Sequence, residues 1–118
     1  MANSRTVRDF QIPFVVAPLA DAWAFANAFS LVFVEPDGSR HYRRSRAMGG
    51  AWCCVVRQLG PNVRIETWIY TAWFNRIPFV IPAELSLESG HFVGVHPRMG
   101  CRNAVNQLLA QLRQQPIQ

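Results

Sequence analysis

The sequence predicts an α+β domain in which one antiparallel sheet of about six strands carries two helices packed on one face. Three observations support this class. Runs of β-branched and aromatic residues, separated by turn signals, dominate the middle of the chain. Two segments near its ends have apolar residues at helical spacing. Each of these helices has a single apolar stripe, which one face of a sheet can bury.

The composition indicates one soluble domain that spans residues 1–118. Half of the residues are hydrophobic and 16% are charged, which is typical of a globular chain rather than a disordered one. No apolar run approaches the ~20 residues that span a bilayer, and the polar start Met1–Arg5 lacks the apolar region of a secretory signal. We therefore expect a cytoplasmic protein. Its net charge of +5 comes from arginine alone, since the chain has no lysine.

The first predicted elements are a strand over Thr6–Val16 and a helix. Pro13 marks an end, an edge or a bulge of the strand, because proline cannot donate a hydrogen bond to a neighbouring strand. Pro18 begins the helix, Asp21 in its first turn favours the helix dipole, and Ser30 lies near its end. The apolar stripe consists of Leu19, Ala22, Trp23, Ala26 and Phe29, with Phe25 at its border.

A hairpin follows the helix. Its predicted strands are Leu31–Glu35 and Arg40–Arg46, and its turn is Pro36-Asp37-Gly38-Ser39. Proline fixes the backbone at the start of such a turn, and glycine accepts the positive φ that a tight hairpin needs near its end. The pair Gly49-Gly50 then interrupts the strand and leads into the next hairpin.

The central hairpin joins Ala51–Leu59 to Val63–Tyr70 through Gly60-Pro61-Asn62. Alternation in its second strand predicts two different faces. One face carries Val63, Ile65, Thr67 and Ile69, and the other carries Arg64, Glu66, Trp68 and Tyr70. The second face mixes aromatic and charged side chains, so it fits neither a pure core nor a pure solvent surface. It is the first candidate for a binding surface.

The last part of the chain is harder to interpret. Ala72–Ser89 is strongly apolar but contains two prolines, so we expect an irregular edge segment or a loop folded over the sheet. His91–His96 is predicted as the final strand, ended by Pro97. A helix over Cys101–Leu112 and a frayed tail, Gln114–Gln118, follow. The buried helix face consists of Cys101, Val105, Leu108, Leu109 and Leu112.

Several short motifs in the C-terminal half carry a resemblance. They are Pro82-Ala83-Glu84, Leu87-Glu88-Ser89-Gly90, Phe92-Val93-Gly94, Pro97-Arg98 and Asn106-x-Leu108-Leu109, with Glu66-x-Trp68 upstream. Together they resemble the C-terminal half of a set of small uncharacterised bacterial proteins, over about a quarter of the chain. That family has no established activity, so the resemblance implies a fold unit and not a reaction. The basic cluster usual after Arg98 is replaced here by Met99-Gly100-Cys101. The element order also resembles the helix-grip arrangement of small ligand-binding domains, an analogy that assigns no function.

The residues that could carry catalysis or bind a metal do not converge in the sequence. Potential metal ligands are His41, His91, His96, Cys53, Cys54 and Cys101, without a C-x-x-C motif. No nucleophile elbow or phosphate-binding glycine loop is present. Glu84 and Glu88 share a face at either helical or strand spacing, which is compatible with acid–base chemistry, but a solvated pair on a loop is the favoured interpretation. We expect no catalytic residue, metal or cofactor.

The densest charge lies on the strand Arg40–Arg46. Alternation places Arg40, Tyr42, Arg44 and Arg46 on one face and His41, Arg43 and Ser45 on the other. Guanidinium groups with an aromatic ring between them can bind phosphates and stack on a base. This predicts a nucleic-acid surface formed by Arg40, Tyr42, Arg43, Arg44 and Arg46. The alternative is an edge strand that its charges protect from pairing with other chains.

The richest aromatic segment is Trp68–Ile81. It contains Trp68, Tyr70, Trp73, Phe74 and Phe79, with Arg76 among them. Exposed, it would form an apolar patch for a protein partner or a second copy of the chain, or a peripheral membrane contact. Buried, it is core. The favoured function is a non-enzymatic interaction module that uses this segment. Nucleic-acid binding through the arginine strand and small-molecule binding in a helix-grip-like domain are the alternatives.

Overall fold

The computed structural model describes residues 5–45, 50–70, 84–85, 87 and 95–118. Its elements are β1 (Thr6–Gln11), α1 (Ala17–Ala26), β2 (Ser30–Val34), β3 (Arg40–Ser45), β4 (Ala51–Leu59), β5 (Asn62–Tyr70), β6 (Glu84–Leu85) and α2 (Val95–Gln111). The predicted α+β class is confirmed: one antiparallel sheet with two helices. In the described part neither helix is both long and apolar enough to cross a membrane.

The strands lie in the order β1-β5-β4-β3-β2, and all of these pairs are antiparallel. The two-residue strand β6 pairs with the end of β5, at Ile69 and Tyr70. Because β4 occupies one edge of β5 along its whole length, β6 continues the line of β1 on the other edge. At the other end of the sheet, β2 is the last of the described strands and pairs with β3 only.

The central hairpin has the predicted strands, joined by the two-residue loop Gly60-Pro61. Gly60 has a φ of 60°, the positive value that tight hairpin turns require and that glycine adopts without strain. The predicted alternation is confirmed, since Val63, Ile65, Thr67 and Ile69 are all buried on one face.

The β2–β3 hairpin also has the predicted turn. The Gly38 amide donates to the Glu35 carbonyl and the Glu35 amide donates to the Ser39 carbonyl, both at 2.9 Å. Gly38 has a φ of 91°, and the Asp37 carboxylate accepts the Ser39 amide at 2.9 Å. Two glycines at positive φ thus set the register of both hairpins.

Both helices pack on one face of the sheet, as predicted, and they contact each other there. The Trp23 indole N–H of α1 donates to the Ala104 carbonyl of α2 at 2.8 Å. Below them lie Tyr42, Trp52, Cys54 and Val56 of the inner strands and Ile65 of β5. The predicted face of α2 is confirmed: Cys101, Val105, Leu108, Leu109 and Leu112 are buried.

The predicted details of α1 need correction. The helix ends at Ala26, and its buried residues are Ala20, Trp23 and Ala24. Ala22 and Ala26 face solvent, because alanine favours helix on propensity alone and needs no burial. Phe25 is not at a packed border but 89% exposed. Asp21 lies beyond the first turn and contacts strand β3 instead of the helix N-terminus.

The C-terminal boundaries also differ from the prediction. Helix α2 begins at Val95, so the predicted strand His91–His96 is wrong at Val95 and His96; residues 91–94 lie outside the described residues. Pro97 stands in the first turn of α2, where its missing N–H has no partner to lose. Of Ala72–Ser89, the described residues are 84–85 and 87. Strand β1 ends at Gln11 rather than Val16.

The predicted frayed tail is wrong. Ile117 is only 2% exposed, and the Asn106 side chain forms hydrogen bonds with its backbone. The Ile117 amide donates to Asn106 Oδ1 at 2.7 Å, and Asn106 Nδ2 donates to the Ile117 carbonyl at 3.1 Å. An apolar residue near a terminus thus extends the core when a polar side chain satisfies its backbone.

Candidate interaction surface

The sheet face turned away from both helices, here called the far face, has a small apolar cluster of its own. Ala51, Cys53 and Val55 of β4 contact Trp68 of β5, and the partly buried Tyr70 packs beside them. Cross-strand pairing of Cys53 with Trp68 and of Ala51 with Tyr70 builds this cluster directly from the register. Cys53 and Cys54 therefore lie on opposite faces, as their adjacency predicts.

Arginines lie over both aromatic rings of the far face. The Arg5 guanidinium is 3.6 Å from the Trp68 ring centroid, and its Nη1 is 3.7 Å from Glu66 Oε1. The Arg43 guanidinium is 5.5 Å from the Tyr70 ring. Trp68 itself is 8% exposed. It is thus a packed side chain and offers little free apolar area.

Three of the predicted aromatic residues, Trp73, Phe74 and Phe79, lie outside the described residues. The same holds for Arg46 of the predicted nucleic-acid surface. The structure describes Trp68 and Tyr70 of the first set and Arg40, Tyr42, Arg43 and Arg44 of the second.

The arginine strand has the predicted alternation but not the predicted edge position. Arg40, Tyr42 and Arg44 pair with Val56, Cys54 and Trp52 of β4, so they share the helix side of the sheet. Strand β3 lies between β2 and β4, so the alternative of a charged edge strand is wrong. Whether a strand lies at an edge depends on the order of the strands in the sheet, and the charge pattern of one strand does not predict that order.

Asp21 of α1 binds two of these residues. Arg40 donates from Nη2 to both carboxylate oxygens, at 2.8 and 2.7 Å, and the Tyr42 hydroxyl donates to Oδ1 at 2.5 Å. Partial burial raises the pKa of Asp21, but the hydrogen bonds from Tyr42 and Arg40 outweigh it and hold that pKa below its ordinary value of 3.8. Burial and the bond to Asp21 raise the pKa of Tyr42. The cluster joins α1 to β3.

The remaining arginines of the strand point in different directions. Arg44 lies 4.7 Å from the Trp52 ring and donates to the Asn27 carbonyl at 3.2 Å. Arg43 lies on the far face with Tyr70. The guanidinium groups of Arg40 and Arg44 thus bind the protein itself, and the described part of the strand presents no continuous row of free guanidiniums.

Within the described ranges, one strand exposes a group of apolar residues that was not predicted. All five residues of β2 are exposed. The exposed fractions are 42% for Leu31, 52% for Val32, 52% for Phe33 and 47% for Val34. Strand pairing places Leu31 and Val34 on the helix side and Phe33 on the far face, where it stacks on His41 at 4.0 Å. A register shift between Leu31 and Phe33 marks a bulge at Val32.

A further exposed apolar side chain, Phe25, lies on the helix layer and is 89% exposed. It lies four residues after Asp21, so it stands one turn further along the same flank of α1. That flank faces β3, because Asp21 binds Arg40 and Tyr42 there. We call the combined set the β2 surface: Phe25, Leu31, Val32, Phe33 and Val34. Its sequence signal is a five-residue strand without a charged residue, next to a helix whose aromatic residue lies off the apolar stripe.

The described residues show no convergence of metal-binding side chains. Across these ranges no group of three or more His, Cys, Asp or Glu side chains is placed so that it could hold a metal ion. Cys53, Cys54 and Cys101 are buried and form no disulfide. Burial, with Cys101 and Cys53 close by, raises the pKa of the Cys54 thiol well above its ordinary value. A protonated, buried thiol is a poor nucleophile and a poor metal ligand.

The space between the sheet and the helices is filled by side chains. Trp52 lies under Gly100 of α2 so closely that a Cβ at Gly100 would stand 2.8 Å from the indole ring. Trp23 stacks on Phe29 at 4.8 Å and meets Tyr42 edge-on at 6.1 Å. A small molecule bound in this layer would have to displace these rings.

Comparison with known proteins gives no family for this chain. No protein-family model, curated protein or solved structure matches it. The resemblance of its C-terminal motifs to small bacterial proteins stays a prediction.

Proposed function

We propose that this protein is a non-enzymatic binding module that contacts a protein partner or a second copy of itself through exposed apolar side chains. The observation that carries the proposal is the β2 surface, in which one edge strand exposes four consecutive apolar residues. An uncharged strand with an unpaired edge is a template for association, and natural sheets normally protect such edges with charges. Contiguous apolar patches mark interaction sites.

The aromatic segment Trp68–Ile81 is the second part of the proposal. Trp68 and Tyr70 support it through the far-face cluster, where Arg5 and Arg43 lie over their rings. Arginine stacked on aromatic rings is frequent at interfaces. Trp73, Phe74 and Phe79 stay candidates for the same contact. We also propose that the protein acts in a reducing compartment such as the cytoplasm, because three buried cysteines without a disulfide are usual there.

The test compares variants of the two surfaces in one binding assay. Purified chain is immobilised and its capture of protein partners is measured for wild type, for Phe33→Ser, and for Trp73→Ser with Phe74→Ser. We expect Phe33→Ser to remove most of the captured protein, with circular dichroism unchanged, because Phe33 is exposed and needs no repacking of the core. Unchanged capture by all these variants would contradict the proposal, as would a stoichiometric metal or nucleotide in the native mass spectrum of the purified protein.

Nucleic-acid binding is the competing function, and one observation favours it. Arg5 and Arg43 lie on the same sheet face as the half-buried Tyr70, a combination that can bind phosphates and stack on a base at the Tyr70 ring. Such binding must weaken steeply with salt, because each neutralised phosphate releases counterions. Replacing Arg43, Arg44 and Arg46 together by serine should then abolish oligonucleotide binding. Salt-sensitive binding that this triple variant loses, beside a β2 surface that binds nothing, would favour this function instead.

A further inference from the structure

The β2 surface combines exposed apolar side chains with a strand edge that no other described strand pairs with. Resting on the function proposed above, we infer that its partner is a second copy of the same chain, with β2 of one protomer antiparallel to β2 of the other about a two-fold axis. The strand itself, Ser30–Val34, carries no charge, so two copies of it do not repel each other. The polarity of the residues around its two ends determines the orientation of the copies.

The two ends of β2 differ in charge. Near its beginning, Ser30 pairs with Arg43, and Arg44 reaches the Asn27 carbonyl in the turn before the strand. Directly after its end come Glu35 and Asp37, whose part-exposed carboxylates form ion pairs with His41 and Arg57, both at 3.3 Å. A parallel neighbour would place Arg43 and Arg44 of one protomer beside the same arginines of the other. An antiparallel copy places these arginines beside Glu35 and Asp37 of the other protomer, as a two-fold axis requires.

The exposed area fits a small dimer interface. With ~200 Å² for a phenylalanine and somewhat less for each aliphatic residue, the β2 surface exposes roughly 500 Å² per protomer. Two copies would bury about 1,000 Å² of side-chain surface, and the main chain and flanking residues add to it. This approaches the ~1,200 Å² at the lower end of stable protein interfaces. We expect a dimer that dissociates in the micromolar range.

The bulge at Val32 limits how the two strands meet. Because the register shifts between Leu31 and Phe33, the outer edge cannot form a long regular ladder. Side-chain burial, rather than main-chain pairing, then provides most of the contact. Phe25 on α1 is 89% exposed and adds to the apolar area that the second copy can cover. Each protomer has one β2, so the contact closes with two copies and builds no fibre.

The test uses opposite charges at the centre of the strand. In Val32→Lys, the two copies bring like charges together, and the same holds for Val32→Glu. We expect each variant alone to be monomeric in sedimentation velocity at concentrations where wild type is dimeric, with at least tenfold weaker self-association. A one-to-one mixture of the two variants should associate again, because each lysine then faces a glutamate. Only pairing of this strand with its own copy produces that rescue.

The matched control is Val15, an apolar residue that is 70% exposed in the loop before α1. Val15→Lys and Val15→Glu should dimerise like wild type. A wild type that stays monomeric throughout the concentration series overturns the inference, and so does a mixture of Val32→Lys and Val32→Glu that stays monomeric. The binding-module proposal is then decided separately, by whether Phe33→Ser loses captured protein.

Discussion

Asp21 connects the two layers of the fold with one carboxylate. Asp21→Ala would leave the buried Tyr42 hydroxyl and the Arg40 guanidinium without this partner. We expect a loss of about 1–3 kcal/mol in the free energy of unfolding, measured by urea denaturation. The control is Asp9→Ala, which breaks an exposed ion pair with Arg64 at 2.8 Å; solvent screens that pair, so its loss should lower the unfolding free energy less than Asp21→Ala does. Equal losses in both variants would show that Asp21 acts as an ordinary surface charge.

The same carboxylate predicts a pH dependence. The folded pKa of Asp21 lies below its ordinary value of 3.8, so the folded state favours the ionised form. Its contribution is therefore complete above that ordinary value and is lost as the pH falls through the folded pKa. The difference in unfolding free energy between wild type and Asp21→Ala should be constant near neutral pH and should shrink in acid below 3.8. A difference that is independent of pH down to strong acid would contradict this.

Gly100 is required by the closeness of α2 to the sheet. In a solvated helix, Gly→Ala stabilises by up to ~1 kcal/mol because alanine restricts the unfolded chain. Here the added Cβ would lie 2.8 Å from Trp52 Cζ2 and 2.9 Å from Cη2. We therefore expect Gly100→Ala to destabilise the fold by about 1–3 kcal/mol. The check is thermal unfolding in a double-mutant cycle with Trp52→Phe, whose smaller ring lacks both atoms. In that background the alanine should be neutral or stabilising.

At the scale of elements, local signals explain what was predictable. Both hairpins followed from turn chemistry, since Gly38 and Gly60 occupy the positions of positive φ. The two faces of β5 followed from strict alternation. The start of α2 did not, because Pro97 suggests the end of the strand His91–His96, whereas a proline also fits the first turn of a helix, where Pro97 lies. Local pattern does not distinguish these two contexts.

The docked C-terminal segment is an element that only tertiary contacts reveal. Ile117 is buried, and Asn106 binds both its amide and its carbonyl. Ile117→Ala should lower the unfolding free energy by about 2 kcal/mol, the low end for a buried aliphatic residue because a chain end can relax. Asn106→Ala should have a smaller effect of about 1 kcal/mol. The control is the exposed Gln115, whose change to alanine should leave the urea midpoint unaltered. If Ile117→Ala also leaves the urea midpoint unchanged, the C-terminal segment does not pack on the core.

At the scale of the whole molecule, sheet order determines which residues can bind a partner. The sequence identifies the strands that carry the arginines and the aromatic residues. It does not tell which strands lie beside them in the sheet. Pairing of β1 with β5, more than fifty residues away, leaves β2 at the edge among the described strands. Long-range pairing of this kind has no local signal. Strand β3 is enclosed by its two neighbours along the chain, β2 and β4, and Arg40 receives its partner Asp21 from α1. The exposed edge of β2 therefore follows from the long-range pairing, while the fold class is as predicted.

The sheet separates two apolar clusters of very different size, and the three cysteines report on them independently. Cys54 and Cys101 are fully buried in the helix-side core, whereas Cys53 is 9% exposed in the small far-face cluster. A small cluster opens locally at low free energy, and a large core opens only with global unfolding.

Chains that keep a single cysteine, with the other two changed to alanine, allow each thiol-labelling rate to be measured in rising urea. We expect Cys53 to react fastest, with a weak urea dependence, and the other two to follow global unfolding. Adding Trp68→Ala should accelerate labelling of Cys53 and leave the rate of Cys54 relative to global unfolding unchanged. If all three thiols react with one urea dependence, the two faces of the sheet unfold as a single unit, and the far face cannot rearrange for a partner while the helix-side core stays intact.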